Sequence, residues 1–143
     1  MSNTTRNASG MVTLDSPWPF PATVERLCTA ITAAGYHVFA RVDHAANAAQ
    51  AGLALRPTEL VLLGNPRSGT ELMLDQQQVG LDLPSKILVW QDDQDTVRLT
   101  YNTAAWLTQR HTLRESGSQA AVALETALAQ VCDQVIQPDD QHQ

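Results

Sequence analysis

Four consecutive aliphatic residues, Leu60 to Leu63, are closed by Gly64 and preceded by the breaker segment Arg56-Pro57-Thr58-Glu59. An apolar run this short and unbroken, bounded by proline and glycine, predicts a central strand covered on both faces or tightly on one. The rest of the chain must then build a sheet around it and supply what covers that sheet.

The flanking segments read accordingly. Met11 to Ser16 alternates as a short strand, and the proline-rich connection Ser16 to Pro21 cannot continue a sheet interior. From about Pro21, Val24, Leu27, Cys28, Ile31 and Ala34 recur at helical spacing as far as Gly35, a natural stop. Tyr36 to Asp43 alternates as a half-buried strand, with Tyr36, Val38, Ala40 and Val42 on one face. Asp43 is placed to cap a short alanine-rich helix ending near Gly52, and a second short helix follows Thr70. Lys86 to Trp90 and Thr96 to Tyr101 are separated by a polar connection of hairpin length, Asn102 is placed to cap a short turn, and a long helix runs from near Ser118 to before Pro138.

In order this is β-α-β-(α)-β-(α)-β-β-(α)-α. It predicts an α+β two-layer sandwich: a mixed sheet of about five strands, including Val38, Leu62, Val89 and Leu99, packed against two main helices. The expected organisation is a disordered tail over residues 1–10, one domain over 11–136 and a loose tail over 137–143.

With 143 residues, 43% of them apolar, the chain is long enough for one self-sufficient core. Its net charge of -6 and lack of a Lys/Arg cluster argue against nucleic acid and anionic membranes as partners. The polar first ten residues carry no secretory signal and no stretch of about 18 apolar residues occurs, which makes the cytoplasm the expected compartment. Cys28 and Cys132 fall on helical apolar stripes and read as small core residues.

The phrases FARVDHAANAAQAGLALRPTEL, GNPRSGTELM, LDLPSKILVWQDD and VRLTYN resemble, in order and spacing, the family catalogued as domain of unknown function 302, over roughly Val12 to Leu113. The resemblance implies an α+β fold with a mixed sheet, often a homodimer, and no established reaction. It marks Asp43, His44, Glu59, Asn65, Pro66 and Lys86 as matching the family's polar positions. Where that family usually reads tryptophan-glutamate-aspartate, this chain has Trp90, Gln91 and Asp92.

Gly64 and Gly69, separated by four residues and followed by Thr70, outline a phosphate loop without its lysine. Pro66 removes a backbone N–H and Glu71 places negative charge where an anion would sit, so the segment reads as a turn into a helix that Thr70 caps. No cofactor fingerprint occurs, no cofactor is expected, and the spacing of the four histidines argues against a metal.

The candidate ligand-binding residues are therefore Asp43, His44, Glu59, Asn65 and Lys86, expected to converge at strand ends. The leading reading is a small-molecule binding or sensing domain, expected to be dimeric. One alternative is a small hydrolase or isomerase with His44 or Glu59 as general base and Lys86 stabilising an anion. The other is a structural or protein-interaction module in which the polar residues only secure the loops.

Overall fold

The computed structural model describes residues 4–139. In chain order these form β1 (Thr4–Arg6), β2 (Met11–Ser16), α1 (Phe20–Ala33), β3 (His37–Asp43), α2 (His44–Gln50), β4 (Thr58–Gly64), α3 (Pro66–Asp75), a 3-10 segment (Gln77–Asp82), β5 (Ser85–Gln91), β6 (Val97–Asn102), α4 (Ala104–His111) and α5 (Glu115–Ile136). The six strands make one sheet in the order β1-β2-β6-β5-β4-β3, and α1 and α5 pack on one of its faces. The α+β two-layer architecture is as the sequence predicts.

The sheet is not mixed: every neighbouring pair is antiparallel. Helices between strands suggest parallel crossovers, yet α2 is an excursion within a long hairpin loop, since Asp43 at its start pairs with Glu59 just beyond it. The α3 and 3-10 segment are a second such excursion, because Leu63 pairs with Ser85. The crossover that does occur, α1, carries the chain from β2 to the far edge strand β3, leaving three strands between them.

The sheet also has six strands, and the sixth lies in the segment expected to be a tail. Residues 4–10 form β1 and a turn in which Gly10 takes a left-handed φ of 84° and the Asn7 side chain accepts the Met11 N–H. Gly10 lies so close to Trp106 that a Cβ there would sit 2.4 Å from the tryptophan Cβ, and Arg6 forms an ion pair with Glu125 of α5. These contacts explain why a polar, unpatterned sequence is held. The remaining parts of the expected tails, residues 1–3 and 140–143, lie outside the described residues, while Asp139 pairs with Arg26 at 2.5 Å.

Two apolar clusters result. The larger joins α1 and the C-terminal half of α5 to the sheet through Leu27, Ile31, Val61, Ile87, Val89, Leu99 and Cys132. The smaller gathers Leu72, Val79, Leu107, Leu113 and Ala121 from α3, the 3-10 segment, α4, the α4–α5 connection and the first half of α5. Alternation in β4 buries Val61 and Leu63 and turns Leu60 and Leu62 to the opposite face, so Leu62 is not the core residue the unbroken run suggests. A bulge between Val38 and Ala40 likewise places those two residues on different faces, since Val38 pairs with buried Leu63 and Ala40 with Leu62.

Candidate functional site

The residues marked by sequence do not form one site. Asp43 caps α2, its Oδ1 accepting the Ala46 N–H at 2.9 Å, and His44 is exposed in the first turn. Glu59 is 6% exposed and accepts a 2.5 Å bond from the Arg41 guanidinium, which holds the arginine proton more firmly than usual. Asp43 and Glu59 are register partners, so the strand pairing brings these two together. Lys86 pairs with Leu62, and alternation assigns it to the sheet face opposite Glu59. Its ammonium donates to the Asp82 carbonyl at 3.3 Å. Asn65 lies six residues beyond Glu59, about 20 Å along a strand. The general base and anion stabiliser expected of an enzyme are thus not assembled from His44, Glu59 and Lys86.

Asn65 has a different setting. Its Oδ1 accepts the Ser68 N–H at 2.9 Å, making it the N-cap of α3, with Pro66 at the first helical position. The helix therefore begins four residues before Thr70, whose hydroxyl instead bonds back to the Pro66 carbonyl at 2.6 Å. What resembles a phosphate loop is the first turn of a helix.

That turn forms one wall of a cavity of about 310 Å³, open to solvent on one side, where the end of β4 meets α3, the 3-10 segment and α5. Phe39, Leu63, Met73, Leu83, Pro84 and Leu124 supply apolar surface, Gly64, Gly69 and Gly80 supply bare backbone, and Asn65, Ser68, Thr70 and Ser85 supply the polar groups. Among the described residues no ionisable side chain lines it. The cavity lies between the two apolar clusters: Leu63 belongs to the larger, while Leu83 and Leu124 pack against the smaller. Two open grooves, between α1 and α5 and between α3 and α5, are lined by alanines with charged and polar residues at their borders.

A buried polar cluster on α4 carries no mark in the sequence-derived set. His111, 4% exposed, places Nε2 2.6 Å from Asp82 Oδ2, the same oxygen that accepts from Arg110 Nε at 3.0 Å. These residues fasten the 3-10 segment to α4 beside a small cavity of about 40 Å³ that Lys86 and Glu125 also border. The ring is closed off from solvent and one carboxylate oxygen takes both donors, so the cluster works as a clamp. The available signal was two basic residues in the last turn of a helix, where cations are favoured. Among the described residues no group of three or more His, Cys, Asp or Glu is placed to hold a metal, and no helix is long and apolar enough to cross a membrane.

Comparison with known proteins places this geometry among relatives. Residues 12–131 match the sequence pattern of the family described as "Domain of unknown function DUF302". The chain is 46% identical over 123 residues, 86% of its length, to "Fluoride-specific ion channel FluC 1" of Brucella suis biovar 1 (strain 1330) and to the protein of the same name from Brucella abortus biovar 1 (strain 9-941). The match covers 48% and 46% of those proteins, so the chain spans about half the length of the curated relatives it matches. Its fold is similar to the "Crystal structure of uncharacterized conserved protein DUF302 from Bacillus stearothermophilus", with a TM-score of 0.82, 22% identity, and coverage of 90% of this chain and 99% of that one.

Proposed function

The chain belongs to the DUF302 family, and from that premise we propose that it is a small-molecule binding or sensing domain whose ligand occupies the cavity between β4, α3 and the 3-10 segment. The observation that carries this reading is the cavity itself. About 310 Å³ lies within the range of roughly 300–1,000 Å³ usual for ligand sites, with apolar walls and a few polar groups at one side. The reading keeps Asn65 from the sequence-derived set, as the cap that shapes the wall, and assigns Asp43, His44, Glu59 and Lys86 to other tasks. Native mass spectrometry of protein taken directly from cells tests it: a retained small molecule, absent from a Gly69→Leu variant that is folded by circular dichroism, is the expected result. The same bound molecule on both proteins, or none on either, refutes it.

The expected dimer is part of the same reading. Because α1 and α5 lie on the other side, the face bearing Leu60, Leu62, Leu88 and Trp90 leaves these side chains partly exposed in one contiguous patch. A second copy docking there would bury it. A cytoplasmic location also belongs here.

The channel-named relatives favour a second reading, as an interaction module. In those proteins the matched segment is joined to a further stretch of about equal length, and a domain of this kind joined to a channel is suited to report on, or dock to, the channel. Co-purification of this chain with a fluoride channel from the same cells supports that reading, and its absence under conditions that retain the ligand rejects it.

A further inference from the structure

Resting on the cavity reading above, we infer that the ligand is an uncharged aromatic molecule of about two fused rings. Charge is the first constraint. The pocket opens to solvent on one side and carries no ionisable side chain among its lining residues, so a carboxylate or ammonium seated against its apolar walls would give up part of its water without gaining a charged side-chain partner, a cost that neutral molecules avoid. Size is the second. An enclosed apolar cavity of roughly 150 Å³ holds one benzene ring, so this open-sided one of about 310 Å³ has room for about two rings against its walls.

The walls supply the preference for a ring. Phe39 is 50% exposed and stands against Gly64, close enough that its ring edge would be 3.4 Å from a Cβ there. Met73 extends its thioether past both Gly69 and Gly80, with its sulfur 3.1 Å from where a Gly80 Cβ would be. An aromatic edge and an adaptable thioether both interact favourably with an aromatic face.

Gly69 carries the argument furthest. It lies inside α3, where glycine costs about 1 kcal/mol relative to alanine, and its φ is not in the left-handed region. A Cβ there would meet Leu83 at 3.6 Å, an ordinary contact. Neither backbone conformation nor crowding requires glycine at this position. What its missing side chain provides is a bare wall for the cavity.

The test uses 2-naphthol and 2-naphthoate, which share a bicyclic ring and differ in charge at neutral pH, titrated into the full chain by fluorescence and calorimetry. Expected are saturable one-site binding of 2-naphthol, at least about tenfold weaker binding of 2-naphthoate, and loss of binding in Gly69→Leu. Gly69→Ala, whose Cβ fits, should remain folded, become slightly more stable and bind 2-naphthol several-fold more weakly. Equal or tighter binding of 2-naphthoate overturns the ligand class and leaves the site standing. Failure of 2-naphthol to bind also overturns the class, and the site still stands if wild-type protein from cells retains a molecule that Gly69→Leu lacks. Unaltered 2-naphthol binding by both Gly69 variants overturns the site itself.

Discussion

Gly117→Ala should destabilise the protein even though it places a better helix former inside a helix. Gly117 is the third residue of α5, and Arg114, at that helix's N-cap, makes no side-chain capping bond. The cap comes from a distant residue: Asp75, at the end of α3, accepts the Arg114 N–H at 2.7 Å through Oδ2, and its side chain is 2% exposed. A Cβ on Gly117 would lie 2.0 Å from that oxygen and 2.8 Å from its carbon, so the carboxylate must leave. Losing a bond to a charged acceptor costs about 1.5–3 kcal/mol. Alanine returns about 1 kcal/mol of helix propensity. The net expectation is a loss of about 0.5–2 kcal/mol, read as a lower urea midpoint with an unchanged slope. In an Asp75→Ala background the conflicts with Oδ2 and Cγ are gone and only a tight 3.0 Å approach to the Cβ of residue 75 is left, so Gly117→Ala should then be close to neutral or stabilise by up to about 1 kcal/mol. If Gly117→Ala stabilises the wild-type background equally, Asp75 is not capping α5 and the reasoning is wrong.

Three further outcomes follow from burial and register. Leu63→Ala should cost about 2–5 kcal/mol in chemical denaturation and Leu62→Ala about 1 kcal/mol or less at the monomer level, so equal losses would mean the phase of β4 is misread. Leu62→Asp should convert a dimer to monomer by light scattering at micromolar concentration if the open face is the contact, and an unchanged mass places the contact elsewhere. Burial raises the Cys132 thiol from its ordinary 9.0 to about 12 and also raises the Tyr101 hydroxyl. Because the folded state then holds protons that the unfolded state releases, stability should be intact below about pH 9 and lost between there and about pH 12. A urea midpoint that does not fall across that window refutes the assignment, as does rapid labelling of Cys132 by a thiol reagent at pH 8.

Much of the element sequence was legible because local signals and tertiary structure agree. Asp43 caps α2, the polar turn after Gln91 makes a hairpin of β5 and β6, and the Val24–Leu27–Ile31 stripe faces the sheet. The failures occur where an unbroken or irregular pattern hides a choice of phase. Leu60 to Leu63 is apolar at every position, so periodicity cannot say which pair is buried, and a bulge near Phe39 reverses the alternation of β3 midway. The N-terminal strand has no apolar pattern because it is an edge: it is fixed by a glycine turn against Trp106 and by Arg6 on Glu125.

The candidate site was harder to read for a physical reason. Charged residues attract attention in a sequence because burying them needs an explanation, and here the explanations are structural: Asp43 caps, Glu59 holds Arg41, and Asp82 holds His111 and Arg110. A site for an uncharged ligand leaves a fainter trace, since leucine, methionine and proline look alike whether they line a cavity or fill a core. Glycine is the exception. At Gly117 a buried carboxylate occupies the space a side chain would need, whereas at Gly69 a Cβ meets only an ordinary contact with Leu83 on the wall of the cavity. Two helical glycines with the same propensity cost therefore make opposite predictions on substitution by alanine: Gly117→Ala should destabilise, and Gly69→Ala should stabilise by about 0.5–1 kcal/mol. If both substitutions destabilise, the space beside Gly69 is needed by the fold, and the cavity loses its strongest claim to be kept open for a ligand.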